Sequence, residues 1–140
     1  MAEVFAGFVC GSILSIIAAP LVAYGLFRMR ATSPLMARLL PEGVPAVSVT
    51  MIAHFGLLIF WTGAGIILGL LLLAMEGGGE ALASANAPFT LIVFSFVLAI
   101  SAPFAILIVP LRRYIVASAL AALLVLGWLM PHMANWSKFD

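Results

Sequence analysis

Hydrophobic and polar positions divide the chain into four long apolar stretches separated by short polar connections. The stretches run from Val4 to Phe27, from Val47 to Met75, from Pro88 to Leu111 and from Tyr114 to Met130. The six basic and five acidic side chains all lie outside them. An ionised group at the centre of a bilayer costs at least about 2.5 to 3.5 kcal/mol, so a spanning helix needs a charge-free run of about 20 residues. The pattern therefore predicts an integral membrane protein.

The same pattern favours helices over strands. Each stretch is apolar on all faces, whereas a strand of a membrane barrel alternates in polarity over about 10 residues. At 1.5 Å per residue the first three stretches cross a hydrocarbon layer of about 30 Å, and the shorter fourth is expected to lie nearly upright. We predict an all-α integral membrane fold with one four-helix transmembrane domain over residues 1–140, arranged as two antiparallel hairpins. Composition agrees, since 8% of residues are charged against about 25% in soluble domains.

The basic residues predict the orientation of the spans. Arg28, Arg30 and Arg38 lie in the first connection, and Arg112 and Arg113 lie in the third. Because basic residues are enriched in cytoplasmic loops, we expect these two connections in the cytoplasm and both termini on the extracytoplasmic side. We expect the protein in the bacterial inner membrane.

The segments between and before the spans add smaller expectations. Between the first two spans, Pro34 and Pro41 bound a short interfacial helix at about residues 34–40. The second connection is glycine-rich from Glu76, and Asn86 is placed to cap the third helix. Since no basic residue precedes the first span, it lacks the n-region of a cleavable signal peptide and is expected to be retained.

Small residues recur every four positions along the first two spans, which lets helix backbones approach closely. The predicted helix-packing residues are Gly7, Gly11, Ser15 and Ala19 in the first span and Gly65 and Gly69 in the second. Weaker instances are Ser95 with Ala99 and Ser118 with Ala122. Four helices have limited capacity to bury all these ridges, so we expect at least one to contact another subunit.

Two prolines lie well inside apolar stretches, away from the ends. Pro20 and Pro103 each remove a backbone donor, so each helix is expected to bend and to leave a carbonyl without its usual partner. Ser15 and Ser101 are near enough to supply a hydroxyl. The segments around the prolines are similar, which raises the alternative of an internal parallel repeat of the kind found in transporters. A proline could act as a hinge or cation-coordinating kink, or could be a static bend that improves packing.

One stripe of the second span carries candidate chemistry. His54 and Trp61 are seven residues apart and therefore share a helix face. His54 could ligate haem iron or chlorin magnesium or relay protons, or it could be a neutral histidine bonded to a carbonyl. Trp61 could stack on a bound ring or lipid, or fill the groove beside a glycine. A second haem ligand would have to come from a dimer or another protein, because His132 lies at the opposite end of its span.

Catalytic motifs are missing from the sequence. The spans contain no carboxylate that could serve as general acid or base, and no metal-binding or phosphate-binding motif occurs. No basic cluster suggests nucleic acid as a partner. We therefore expect a protein that is not an enzyme and has no catalytic or metal site.

These features favour a non-catalytic accessory or structural subunit of a larger membrane complex, with respiratory and photosynthetic electron-transfer complexes as the expected type. The alternatives are a small homo-oligomeric transporter or channel, and a haem- or chlorin-binding membrane subunit using His54. The expected partners are membrane lipids, including bound lipid, and other integral-membrane subunits.

Overall fold

The structure, a computed structural model, describes residues 1–75 and 87–136. Its helices, in chain order, are α1 (Ala2–Arg30), α2 (Pro34–Leu39), α3 (Ala46–Ala74), α4 (Ala87–Leu107), a 3-10 turn (Val109–Leu111), α5 (Arg112–Ala122), a π-helix (Leu123–Leu129) and α6 (Met130–Trp136). The last three follow one another without a break and are called the fourth span. The described residues contain no strand. The glycine-rich connection that begins at Glu76, including the proposed cap Asn86, lies outside them.

Four of these helices are long and apolar enough to cross a membrane, so the chain is a membrane protein of all-helical fold. Proline sets several of their ends. Pro34 occupies the first position of α2, where its missing N–H costs no hydrogen bond. Pro45, with extended backbone angles, immediately precedes α3.

Two boundaries differ from the sequence prediction. α4 ends at Leu107 and gives way to a 3-10 turn containing Pro110, whose ring cannot continue an α-helix. The fourth span is not short, because it continues past Met130 to Trp136 and comprises 25 residues. At 1.5 Å per residue its length is about 37 Å, enough to cross the bilayer with some tilt.

The four spans pack in a row, in the order α3, α1, fourth span, α4. α1 contacts α3 along its length on one side and all three parts of the fourth span on the other. α4 packs chiefly on α5 and the π-helix. Helices α3 and α4 therefore occupy the two ends of the row, and each presents a broad apolar surface outward.

The core follows the two sides of α1 and the inner face of α4. The most deeply buried side chains include Leu14 of α1, Leu72 of α3, Phe89 of α4 and Leu126 and Met130 of the fourth span. Among the described residues, Glu3 is the only charged side chain that is buried. It lies in the first turn of α1, and its carboxylate is 3.1 Å from the N-terminal ammonium of Met1.

Candidate functional site

Helices α1 and α3 come into backbone contact along a seam of four glycines, Gly7 and Gly11 of α1 with Gly65 and Gly69 of α3. The helices run antiparallel, so that Gly7 faces Gly65, Gly11 faces the carbonyl of Trp61 and Gly69 faces the carbonyl of Glu3. A Cβ added to Gly7 would overlap the carbonyl oxygen of Gly65, and one added to Gly69 would lie 2.5 Å from that of Glu3. We call these residues the glycine seam.

The seam explains why glycine, rather than any small residue, occupies these positions. The neighbouring atoms are backbone, which cannot move aside as the end of a flexible side chain can. Close backbone approach increases dispersion contacts and permits weak Cα–H···O bonds, which matter where lipid removes the hydrophobic drive for association. Ser15 and Ala19 continue the ridge on α1 and are also buried.

The sequence predicted that at least one small-residue ridge contacts another subunit, and the structure gives a different environment for each ridge. In the glycine seam, α1 packs against α3 of the same chain. A bulky residue at Gly7 or Gly11 would therefore disturb the fold itself. The weaker ridge of the third span is different, because Ser95 and Ala99 are both exposed. In the fourth span Ala122 is fully buried.

Trp61 lies at the seam rather than on an open face. It is 8% exposed and belongs to the buried core together with Ala64 and Leu68. Within the described residues, neither its indole Nε1 nor the hydroxyl of the neighbouring Thr62 has a hydrogen-bond partner. The ring thus packs among apolar side chains while two polar atoms remain unpaired in the core.

His54 is half-buried on α3 and makes no hydrogen bond to the described part of the chain. Its ring lies edge-on to Phe55, with 6.2 Å between centroids. His132 is held differently: its Nδ1 is 2.7 Å from the carbonyl of Trp128, and because a carbonyl only accepts, Nδ1 carries the proton. The described residues contain no group of three or more His, Cys, Asp or Glu that could hold a metal.

Pro20 and Pro103 both lie on exposed helix surfaces. Neither of the serine hydroxyls that we expected to bond the carbonyls left by these prolines does so. Ser15 donates to the carbonyl of Ser12, one turn earlier, at 2.7 Å, and Ser101 makes no hydrogen bond to the described residues. The expectation for Ser15 is wrong, because its hydroxyl donates to a carbonyl of its own preceding turn instead.

A third proline, Pro131, lies next to a π-helix that the sequence analysis did not predict. Pro131 cannot bond the carbonyl of Gly127, four residues earlier, and the π-helix Leu123–Leu129 ends just before it. The hydroxyl of Thr90 on α4 donates to that carbonyl at 3.5 Å. The signal in the sequence was Pro131 itself, which the predicted end of the span at Met130 left outside the helix.

No protein-family model, curated protein or solved structure matches the chain. The function is therefore inferred from the geometry of the described residues.

Proposed function

We propose that this protein is a non-catalytic accessory or structural subunit of a larger membrane protein complex. The observation that carries the proposal is the position of α4 at the end of the row. In the most apolar part of each span, 44% of residues are buried for α1 but 11% for α4. α4 therefore has most of its surface available to neighbours in the membrane.

The outward face of α4 has the composition of a helix-packing surface. Ser95 lies two positions from both Val93 and Val97, which are buried, so it points to nearly the opposite side of the helix, about 160° from each of them. Ala99 continues the same face one turn later and is also exposed. Small residues flanked by large ones give a neighbouring helix a groove to enter, whereas lipid contact requires no such groove.

The proposal includes an orientation. Tyr24 of α1 and Tyr114 of α5 meet edge-on, with 5.6 Å between ring centroids, and Leu111 contacts Gly25. The first and third connections, which carry five arginines between them, thus lie close together at the same end of the spans. We propose two antiparallel hairpins with this end in the cytoplasm and both termini outside a bacterial inner membrane, which agrees with the enrichment of arginine in cytoplasmic loops.

Isolation of the chain from its native membrane tests the proposal directly. Membranes would be solubilised in a mild detergent, the chain purified at its native size, and co-migrating proteins identified by mass spectrometry. We expect other integral-membrane proteins in stoichiometric amounts; redox or light-harvesting proteins among them would identify an electron-transfer complex. A chain that migrates alone or as a small homo-oligomer would contradict the proposal and favour the transporter alternative.

Substitutions on α4 test which surface makes the contact. Ser95→Leu with Ala99→Leu fills the proposed groove and should abolish co-purification of the partner, while the helical content stays unchanged. Gly56→Leu on α3 is the control, since a Cβ added there meets nothing within 4 Å. Retention of the partner by the α4 variant, or its equal loss in the control, would refute this assignment of the surface.

A further inference from the structure

A groove of about 370 Å³ opens between α4 and α5, beside the turn that joins them. Apart from Ser101 and Arg112, its walls are apolar and include Leu98, Ala102 and Ile106 from α4 and Ile115 and Ala119 from α5. The alanines provide the space, because a larger side chain at either position would enter the groove. From Leu98 to Ile106 the groove follows α4 for nine residues, a rise of about 12 Å.

Arg112 lies at one end of the groove and is held there by the backbone. Its Nε donates to the carbonyl of Ala105 at 3.1 Å. This carbonyl is in the last turn of α4, where carbonyls lack intrahelical partners. The bond fixes the guanidinium beside the groove and leaves its terminal N–H groups available for another ligand.

The charge around the groove is positive and uncompensated. Arg113 follows directly and is exposed. The sequence has no acidic residue from Ala87 to Trp136, and neither arginine forms an ion pair with the described residues. A ligand that fits must therefore combine an anionic group at the end of the span with an apolar chain that reaches about 12 Å into the membrane.

We propose that this groove is a binding site for an anionic phospholipid. The phosphate is bound by the guanidinium of Arg112, with Arg113 adding charge, and one acyl chain lies between α4 and α5 against Ala102 and Ala119. Guanidinium groups bind phosphate through paired, charge-assisted hydrogen bonds, and basic pockets between spans recognise anionic headgroups in the same way.

Native mass spectrometry of the full chain tests the site. The purified protein would be exposed to equal amounts of phosphatidylglycerol and phosphatidylcholine with identical acyl chains. Both lipids carry a phosphate, but the ammonium group of phosphatidylcholine offsets its charge. We therefore expect wild-type protein, with two uncompensated arginines beside the groove, to retain phosphatidylglycerol about tenfold more strongly. Arg112→Gln should remove this preference. Arg38→Gln removes an exposed arginine of the first connection and should preserve it.

A second variant tests the groove independently of charge. Ala119→Phe fills the space between the helices and should reduce retention of phosphatidylglycerol although both arginines remain. Circular dichroism would confirm that the variant keeps its helices, and Ala102→Phe would replace it if it does not. Excess inorganic phosphate should not displace the lipid, because a phosphate ion has no acyl chain. Equal retention of both lipids by wild type, or equal effects of the Arg112 and Arg38 variants, would overturn the proposal.

Discussion

At the residue scale, the clearest relation between sequence and structure is at the glycine seam. A glycine inside a helix costs roughly 0.5 to 1 kcal/mol relative to alanine. Here the absence of a side chain allows Gly7 and Gly65 to bring two backbones into contact. Gly56 has the same intrinsic cost but faces open space. On the same helix, Gly65 therefore permits a close helix contact, whereas Gly56 makes none.

This contrast predicts the effect of adding one methyl group. Gly7→Ala places a Cβ against the carbonyl oxygen of Gly65 and should lower the free energy of unfolding by about 1 to 3 kcal/mol, the usual cost of overpacking. Gly56→Ala should be neutral or stabilise by up to about 1 kcal/mol. Titration with SDS in mixed micelles, followed by circular dichroism, measures both. Equal stability of the two variants would contradict the seam.

His54 also permits a test at this scale. If the chain is an accessory subunit without a pigment, the purified protein should show neither a haem Soret band nor chlorin absorption. The informative opposite result is a coloured protein that loses its band in His54→Ala and keeps it in His132→Ala. Because His54 makes no hydrogen bond to the described residues, that result would establish it as the ligand.

At the scale of elements, proline position decides how each span is built. Pro20 and Pro103 lie on exposed surfaces of helices that continue past them. Pro131 follows a π-helix, and the Gly127 carbonyl, to which Pro131 cannot donate, accepts a hydrogen bond from the hydroxyl of Thr90 on α4. This bond links α4 to the rest of the row, although α4 has little buried surface.

Removal of that hydroxyl should weaken the attachment of α4. Thr90→Val keeps the side-chain shape and should lower the free energy of unfolding by about 0.6 kcal/mol, the mean for hydrogen bonds between membrane helices. Thr50→Val is the control, since the Thr50 hydroxyl bonds only the carbonyl of Ala46 in its own helix, at 2.9 Å. The same SDS titration applies. A loss as large in the Thr50 variant would show that the effect is not interhelical.

At the scale of the whole molecule, the row arrangement separates a well-buried centre from two exposed ends. α1 is covered on both sides, whereas α4 depends on lipid or a partner to cover its outer face. The lipid groove and the Ser95 face lie on this same helix. Helix α4 therefore carries both of the contact surfaces that we propose.

The proposed orientation is testable on the intact molecule. In a chain whose Cys10 is replaced by alanine, Gly43→Cys should react with a membrane-impermeant maleimide only in inverted vesicles. Ala87→Cys should react from the outside of cells. Both positions are exposed in the structure and lie in the first connection and at the start of α4. The reverse labelling pattern would place the arginine-rich connections outside.

The sequence by itself determined the number and approximate limits of the spans. Charge is too costly inside a bilayer to appear there by chance, so the confinement of all eleven charged residues to the connections and the terminal segments was sufficient evidence. It also identified the glycine ridges, because close helix approach requires small residues at helical spacing. The end of the fourth span was missed, since the hydrogen bonds around Pro131 depend on a π-helix and on Thr90 of another helix.

The tertiary structure alone decided which surfaces meet. A small-residue ridge indicates close helix contact but does not specify which helix makes that contact. The buried ridges of Gly7 and Gly65 and the exposed ridge of Ser95 therefore could not be told apart from the sequence. The groove beside Arg112 has the same origin, because Ala102 and Ala119 line one space only when α4 packs on α5. Hydropathy specifies what enters the membrane, whereas packing between helices of similar apolarity depends on shape.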